Sequence, residues 1–497
     1  MPRREMSQKI AVSVVFVAAM FMNIMDTTIV NVALPTIGRQ FHVAPDSVDT
    51  VAIGYLVSLA VFIPVSGWLG DRLGGRRVLL AAILIFTLAS ALCGVAQNPA
   101  QLVGFRVLQG VGGGMMVPVG MALLFRTFPP EERVRASSIL VIPTALAPAL
   151  GPVVGGLFVT EVSWRWVFYV NLPIGLAALV FGALFLAPHR SEAAGRLDWV
   201  GFLLSGAGLG LVMYGVSEGP FKGWGQPLII STVVAGALLL GAMVLYELRT
   251  ENPLIDLRLF RDGLFRTSNI VMGLGAVSFL GVLFIVALFF QDGLGQSALG
   301  SGLSTFPEAL GVMLGAQVVS RALYPILGPR RVLTMGLTVL SASLALMSLI
   351  STPGQLWWMR LLMFVLGYGM AHVFTTAQAA GFATISGPDT ARASTVFNAL
   401  RQLGGAVGVA ILSTIVAEIG PVKRSGGHVV PNLTSYHVTF LVAAGIAVLA
   451  IVAALRIDDS AAAHTMVRRR RHHRRPGPAS GRERAGEGVS VAGAHSG

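Results

Sequence analysis

Charge is scarce in this sequence. Only 12% of its 497 residues are Asp, Glu, Lys or Arg, about half the share a soluble chain of this length carries. A water-facing globular fold is thereby excluded. Cysteine is nearly missing too: Cys93 stands alone inside an apolar run, which rules out an internal disulfide framework and reads as a small buried side chain. No nucleotide-binding motif occurs. The glycines of Gly110 to Gly114 and Gly151 to Gly156 lack the Lys-Ser/Thr ending of a phosphate loop and follow no strand, so an ATP-driven pump is not expected. Close helix packing is their reading. No cluster of nucleophiles or metal ligands is apparent, since the histidines near the end of the chain are crowded by arginine. The chain reads as no enzyme, with no cofactor and no metal.

Apolar residues are abundant instead: 54% of the chain, with a mean hydropathy of +0.74. They gather into runs of about 20, the length that crosses a hydrocarbon core of about 30 Å as helix. Fourteen spans are predicted, near residues 10–35, 49–70, 78–97, 101–125, 137–159, 165–187, 199–217, 227–247, 268–290, 300–320, 332–351, 356–379, 394–417 and 437–456. The runs are continuous and rich in Leu, Ala and Gly, without the alternation of barrel strands. The fold class is all-α polytopic membrane protein. The first run is too long for a cleaved signal and is read as a retained helix.

An even number of spans puts both termini on one side, and the basic residues select that side. Of the 36 lysines and arginines, five fall in outside connections (Arg39, Arg165, Lys222, Lys423, Arg424), three within spans (Arg106, Arg360, Arg401), and the remaining 28 inside. Both termini are therefore expected in the cytoplasm, with the chain in the plasma membrane. The tail from residue 458 to 497 carries VRRRRHHRR but no aromatic residue for base stacking. It reads as a disordered segment drawn to anionic lipid headgroups, not as a nucleic-acid binder.

The polar stretch GWLGDRLGGRR, Gly67 to Arg77, follows directly on span two. Gly74 and Gly75 suit a tight turn, and Arg72, Arg76 and Arg77 suit an inside loop. Asp71 needs a separate account: an acid there could meet a neighbouring helix N-terminus and latch two helices at the inner face. Gly67, Asp71, Arg72, Gly75 and Arg76 are the candidate cytoplasmic gate.

This stretch resembles the signature loop of the major facilitator superfamily, which lies between spans two and three there as here. LVGFRVLQGVGGG at Leu102 to Gly114 is similar to the family's fourth-span motif, with Arg106, Gln109 and Gly110 matching. APALGPVVGG at Ala147 to Gly156 resembles the fifth-span motif of its exporters, with Gly151, Pro152, Gly155 and Gly156 matching and Ala147 in place of the usual first glycine. MDTTIVNVALPTI at Met25 to Ile37, WRWVFYVNLPIG at Trp164 to Gly175 and LRQLGGAVG at Leu400 to Gly408 are similar to the fourteen-span drug:proton antiporters of the EmrB/QacA type. The resemblance runs to about Arg456. It implies the major facilitator fold of two six-helix bundles, here residues 1–190 and 267–457, joined by two additional helices within 191–266.

An internal repeat agrees with that plan. RASS (Arg135 to Ser138) and RAST (Arg392 to Thr395) occupy equivalent loops, each after a Pro-acid turn, and LWWMRLLMF places Arg360 where LVGFRVLQG places Arg106. The counterpart of the opening loop, SRALYPILGPRR, has no acid, so an acid-based latch is one-sided. A substrate site between the two halves at mid-membrane is expected.

Charge within a span calls for a partner or a task. Asp26 lies about 13 Å and Arg106 about 8 Å below the outer ends of their spans, counting about 1.5 Å per residue. Asp26 either carries a coupling proton or meets a cationic substrate, with Arg106 acting on its charge; the alternative is a fixed ion pair tying two helices. Glu308, about 12 Å in from the outer end of span ten and preceded by a kinking proline, is the second candidate acid, or else snorkels. His372 is a proton shuttle or a packing residue. Asn31, Gln109, Gln378 and Asn398, with Asn23 and Gln402, form a polar pathway or interhelical hydrogen bonds. The function expected is a proton-coupled exporter of amphipathic, often cationic compounds, a monomer whose partners are a small-molecule substrate, protons and the lipid bilayer. Alternatives are a narrow-range exporter of one natural product, an importer on the same scaffold, or a non-transporting sensor or channel.

Overall fold

A computed structural model describes residues 7–43, 48–187, 197–251, 253–425 and 428–466. The long helices are α1 (Gln8–Phe41), α2 (Thr50–Leu69), α3 (Gly75–Val95), α4 (Pro99–Thr127), α5 (Arg133–Leu157), α6 (Asn171–Phe185), α7 (Trp199–Lys222), α8 (Pro227–Glu247), α9 (Gly263–Leu288), α10 (Ala298–Val318), α11 (Tyr324–Met347), α12 (Leu356–Gly381), α13 (Thr390–Ile419) and α14 (Leu433–Ala454). Their starts carry the expected chemistry. Asn98 accepts from the Gln101 N–H with Pro99 at the first position of α4, and Asp198, Asp262 and Ser297 accept from the first turns of α7, α9 and α10.

Among the described residues, twelve helical stretches are long and apolar enough to cross a membrane. Two of them, Thr50–Val95 and Gly300–Met347, run 46 and 48 residues. A straight helix of that length would be about 70 Å long, more than twice an apolar core of about 30 Å. Each is broken at a glycine in the left-handed region, Gly74 (φ 92°) and Gly328 (φ 79°), a conformation that glycine adopts without a Cβ clash. The expected tight turn through both Gly74 and Gly75 is therefore corrected: Gly75 is helical, and a Cβ there would lie 2.8 Å from Leu123 of α4. Its lack of a side chain serves close approach.

Two further differences stand out. Helix α1 passes Pro35 and continues to Phe41, beyond the expected end at residue 35, and leaves through His42 at φ 54°. Between α13 and α14 a short antiparallel hairpin forms, β1 (Val422–Ser425) with β2 (His428–Pro431).

The packing joins α1 to α5 and α6, α2 and α3 to α4, and α3 to α6. Likewise α9 packs on α13 and α14, α10 and α11 on α12, and α11 on α14. The two groups meet through α5 against α10 and α12, and through α13 against α2 and α4. Helices α7 and α8 pair with each other, and α7 leans on α2 and α13.

One end of the bundle is identified by its contacts and is called the Gln8 face. There Gln8 donates to the Phe185 carbonyl (2.9 Å), Lys9 pairs with Glu132 (2.8 Å), and Arg76 donates to the Ala183 carbonyl (2.6 Å). The chain returns to this face after α14. The tail expected to be disordered from residue 458 is fixed through Met466: Asp459 accepts from the Arg330 N–H (2.8 Å), Thr465 hydrogen-bonds Tyr324 (2.9 Å), and Ala462 is buried. The turn Ala463–Thr465 packs on Pro130–Glu132. The basic run lies at residues 467–497, outside the described residues, as do Arg3, Arg4 and residues 188–196 around the expected first domain boundary.

Candidate functional site

The first site residue, Asp26, sits fully buried on α1 against α4. Its two oxygens are completely engaged. Arg106 Nη1 donates to Oδ2, and Gln109 Nε2 (2.8 Å) and Asn171 Nδ2 (3.1 Å) donate to Oδ1. The guanidinium of Arg106 also donates to the Gln109 amide oxygen (2.8 Å) and the Val51 carbonyl (3.3 Å), and lies 4.3 Å from the Tyr55 ring centre. Ser90 receives bonds from Asn171 (3.0 Å) and Gln109 (3.3 Å) and passes its own proton to the Phe168 carbonyl (2.9 Å). The carboxylate accepts three donors, and the pair is shielded from lipid by α3 and α6. The one-turn spacing of Arg106 and Gln109 puts both on the α4 face that meets α1.

Glycines make this closeness possible. A Cβ at Gly113 would fall 2.8 Å from Asn23 Nδ2 and 2.9 Å from the Tyr55 hydroxyl, and one at Gly112 would fall 2.7 Å from the Ala82 carbonyl. On α5, a Cβ at Gly151 would strike Thr28, and one at Gly155 would lie 2.9 Å from Ile29. Gly156, about 100° further around the helix, faces open space, so the expectation of tight packing does not hold at that position. Pro152 lies in α5 with its side chain outside the described residues.

The second constellation closes the Gln8 face. Asp71 pairs with Arg126 at the end of α4 (2.8 Å), and Arg126 reaches across to the carbonyls of Gly387 (3.3 Å) and Pro388 (3.4 Å) just before α13. The partner of Asp71 is thus a side chain, in correction of the helix N-terminus expected from sequence. A Cβ at Gly67 would lie 2.6 Å from Thr395 Oγ1 of α13. Around this latch Phe125 stacks on Phe382 (4.5 Å, 9°), Arg133 donates to the Ala383 carbonyl (3.1 Å), and Ser394 donates to the Pro118 carbonyl (2.7 Å). Burial of Arg133 among these groups pushes its pKa down from the ordinary arginine value. Arg72 is exposed on the turn.

Above the latch a narrow cavity opens between α1, α4 and α5 on one side and α12 and α13 on the other. Phe16, Met20, Val117, Met121, Val141 and Phe374 line it, together with the polar Gln378, Asn398 and Arg401. Asn398 spends its amide protons on Met121 Sδ (3.0 Å) and the Ser394 carbonyl (2.9 Å).

The remaining sequence candidates scatter. Glu308 is buried on α10, its backbone against Gly367 of α12, and among the described residues its carboxylate has no hydrogen-bond or ion-pair partner. His372 donates from Nδ1 to the Tyr368 carbonyl of its own helix (2.8 Å) and packs on Gly336 of α11. Asn31 is exposed and joins neither cluster. Sequence reasoning missed Asn171, Ser90 and Tyr55 as partners of the buried pair, and Arg126 as the cation of the latch. Asn171 stood inside a quoted motif, and Arg126 had been counted only as an inside-loop charge.

Comparison with known proteins gives a concordant picture. A family model described as Major Facilitator Superfamily matches residues 16–409. The chain is 34% identical over 407 residues to "Multidrug resistance protein B homolog" of Mycobacterium tuberculosis (strain CDC 1551 / Oshkosh), covering 81% of this chain and 75% of that one. It is 35% identical over 413 residues to "Putative multidrug resistance protein MdtD" of Escherichia coli O1:K1 / APEC, covering 80% and 84%. Among solved structures, the human organic anion transporter MFSD10 (TETRAN) superposes with a TM-score of 0.65 at 15% identity, covering 90% of this chain and 99% of that one, a likeness of fold.

Proposed function

Since the chain belongs to the major facilitator superfamily and is a membrane transporter, not an enzyme, we propose that it is a proton-coupled exporter of amphipathic small molecules, working by alternating access. The observation that carries this reading is the Asp26–Arg106 pair, buried and saturated with donors deep in the apolar bundle. Protonation of Asp26 removes the counter-ion of Arg106, and a buried arginine left alone costs about 3–5 kcal/mol. A proton therefore drives α1 and α4 apart, and its loss draws them together. Both oxygens of Asp26 are already bonded within the protein in this arrangement, so the substrate occupies the cavity lined by Gln378 and Asn398 and Asp26 is left to carry the proton. Gln109 belongs to the carrier. Glu308 is a second carrier candidate, favoured by its unpartnered buried carboxylate.

The architecture supports two bundles, α1–α6 and α9–α14, with α7 and α8 added. Each of the two bent stretches crosses twice, so the twelve stretches make fourteen crossings. With the Gln8 face in the cytoplasm, the Asp71–Arg126 latch closes the inner gate. The export direction is supported by the resistance named in the two bacterial relatives. The test is accumulation of an amphipathic dye in everted membrane vesicles when their lumen is acidified. Accumulation that a protonophore abolishes is expected; dye movement that ignores the gradient, or runs the other way, overturns the proposal.

A further inference from the structure

The central cavity contains a cation for which the proton-carrier chemistry has no use. Arg401 on α13 lines it, partly exposed to the empty space, and among the described residues makes no hydrogen bond or ion pair. Within a membrane bundle such a residue faces water or a partner, because an unpaired guanidinium in hydrocarbon is costly. The other arginines of the bundle interior differ. Arg106 is paired with Asp26, and Arg360 donates to Ser304 Oγ at 3.3 Å.

The walls decide what can balance that charge. No Asp or Glu is among the residues lining the cavity. Asp26, the nearest acid on α1, has both oxygens taken by Arg106, Gln109 and Asn171. The Gln378 amide has no side-chain bond among the described residues, and it shares the cavity with Arg401. Around them stand six apolar side chains, two of them aromatic and two of them methionine, a surface that adapts to flat apolar bodies. In this closed arrangement the gap has room for little more than a water, so an organic ligand is accommodated as the two groups of helices separate.

Resting on the export reading above, we propose that this cavity takes an amphipathic monoanion, a carboxylate on an apolar aromatic body, with Arg401 gripping the carboxylate and Gln378 as an accessory hydrogen-bond donor. Arginine presents five donors in a planar fork suited to a carboxylate and keeps its charge at every working pH. The cavity thereby selects against cations, contrary to the expectation of cationic substrates.

The test uses three probes with one bicyclic body and three charges: naphthaleneacetate, naphthaleneacetamide and naphthylethylamine. Binding to the full chain, purified and reconstituted in phosphatidylcholine so that no anionic lipid competes, is read by equilibrium dialysis. The carboxylate is expected to bind at least about tenfold more tightly than the amine, with the amide between. Arg401→Gln should erase that order while leaving amide affinity within about twofold, and Arg401→Lys should keep part of it. An amine that binds as well as the carboxylate, or no binding of any of the three, overturns the proposal from the wild-type protein alone, whether or not the variants fold. Transport of the same probes under a pH gradient separates the two readings. Selective binding of the carboxylate without gradient-driven movement sinks proton-coupled export and leaves the anion site standing; gradient-driven movement of the amine with no effect of Arg401→Gln does the reverse.

Discussion

Arg106 on α4 and Arg360 on α12 occupy matching places in the internal repeat, yet one is buried against a carboxylate and the other half-faces outward. Arg360 donates only to Ser304 and lies 4.9 Å from the Trp357 ring centre, a residue that is itself 76% exposed. The turns differ in the same way. Asp71 after α2 is paired with Arg126, whereas the equivalent turn after α10 carries no acid of its own and borrows Asp459 from beyond α14, which accepts from the Arg330 N–H. The helices and the glycine breaks at Gly74 and Gly328 recur in both halves, whereas the Asp26–Arg106 and Asp71–Arg126 pairs lie within α1–α4. A repeat thus preserves packing with little constraint on the ionisable groups, and function separates the halves.

The strongest break of this comparison is Asp26→Asn. It should abolish gradient-driven transport and lower stability by about 3–5 kcal/mol, because Arg106 is left buried without its counter-ion. Adding Arg106→Gln should restore most of the stability and none of the transport, measured by thermal unfolding of the purified protein beside vesicle uptake. Unchanged transport in Asp26→Asn would move the proton elsewhere, with Glu308 next in line.

A second break compares two glycines of one helix. Gly151→Leu drives a side chain into Thr28 and should cost about 1–3 kcal/mol or more and make the bundle leaky. Gly156→Leu, pointing into open space, should be within about 0.5 kcal/mol of wild type by the same thermal assay. Equal effects would show that α1 and α5 are not closely apposed.

The latch offers a finer contrast. Asp71→Asn weakens the charge-assisted bond that holds Arg126 of α4 in place against the α13 entry, and should slow transport several-fold while leaving the protein folded. Asp459→Ala loses one hydrogen bond from a backbone N–H, worth about 0.5–1.5 kcal/mol, and should affect stability more than rate. Full transport by a folded Asp71→Asn variant removes it from the mechanism. The smallest effect belongs to Arg360→Gln: a part-exposed arginine without a carboxylate partner should be replaceable at about 0.5 kcal/mol or less with transport unchanged. A large loss there would mean that the two arginines do equivalent work after all.

Much of this was legible in the residues. Counting along helices put Asp26 and Arg106 at compatible depths, and the glycine runs announced close approach. What stayed hidden involved partners far apart in sequence. Asn171 reaches Asp26 from 145 residues away, and no local periodicity predicts which amide fills a carboxylate's second lone pair. Arg126 looked like one more inside-loop cation because its role depends on the carbonyls of Gly387 and Pro388, which any residue type would supply. Arg401 was visible only as an intramembrane charge; the cavity that gives it a purpose is made by five helices together. The composition of the tail concealed the order of residues 458–466, since the arginines that follow dominate the segment.

The borrowed acid makes the segment after α14 part of the closed Gln8 face. Asp459 caps the turn at Arg330, and Met466 packs with Val134 of α5 and Tyr324 of α11. Residues 458–466 act as a clasp: they tie the second glycine break to the entry of α5, and any movement that parts the two groups of helices at this face has to unfasten them.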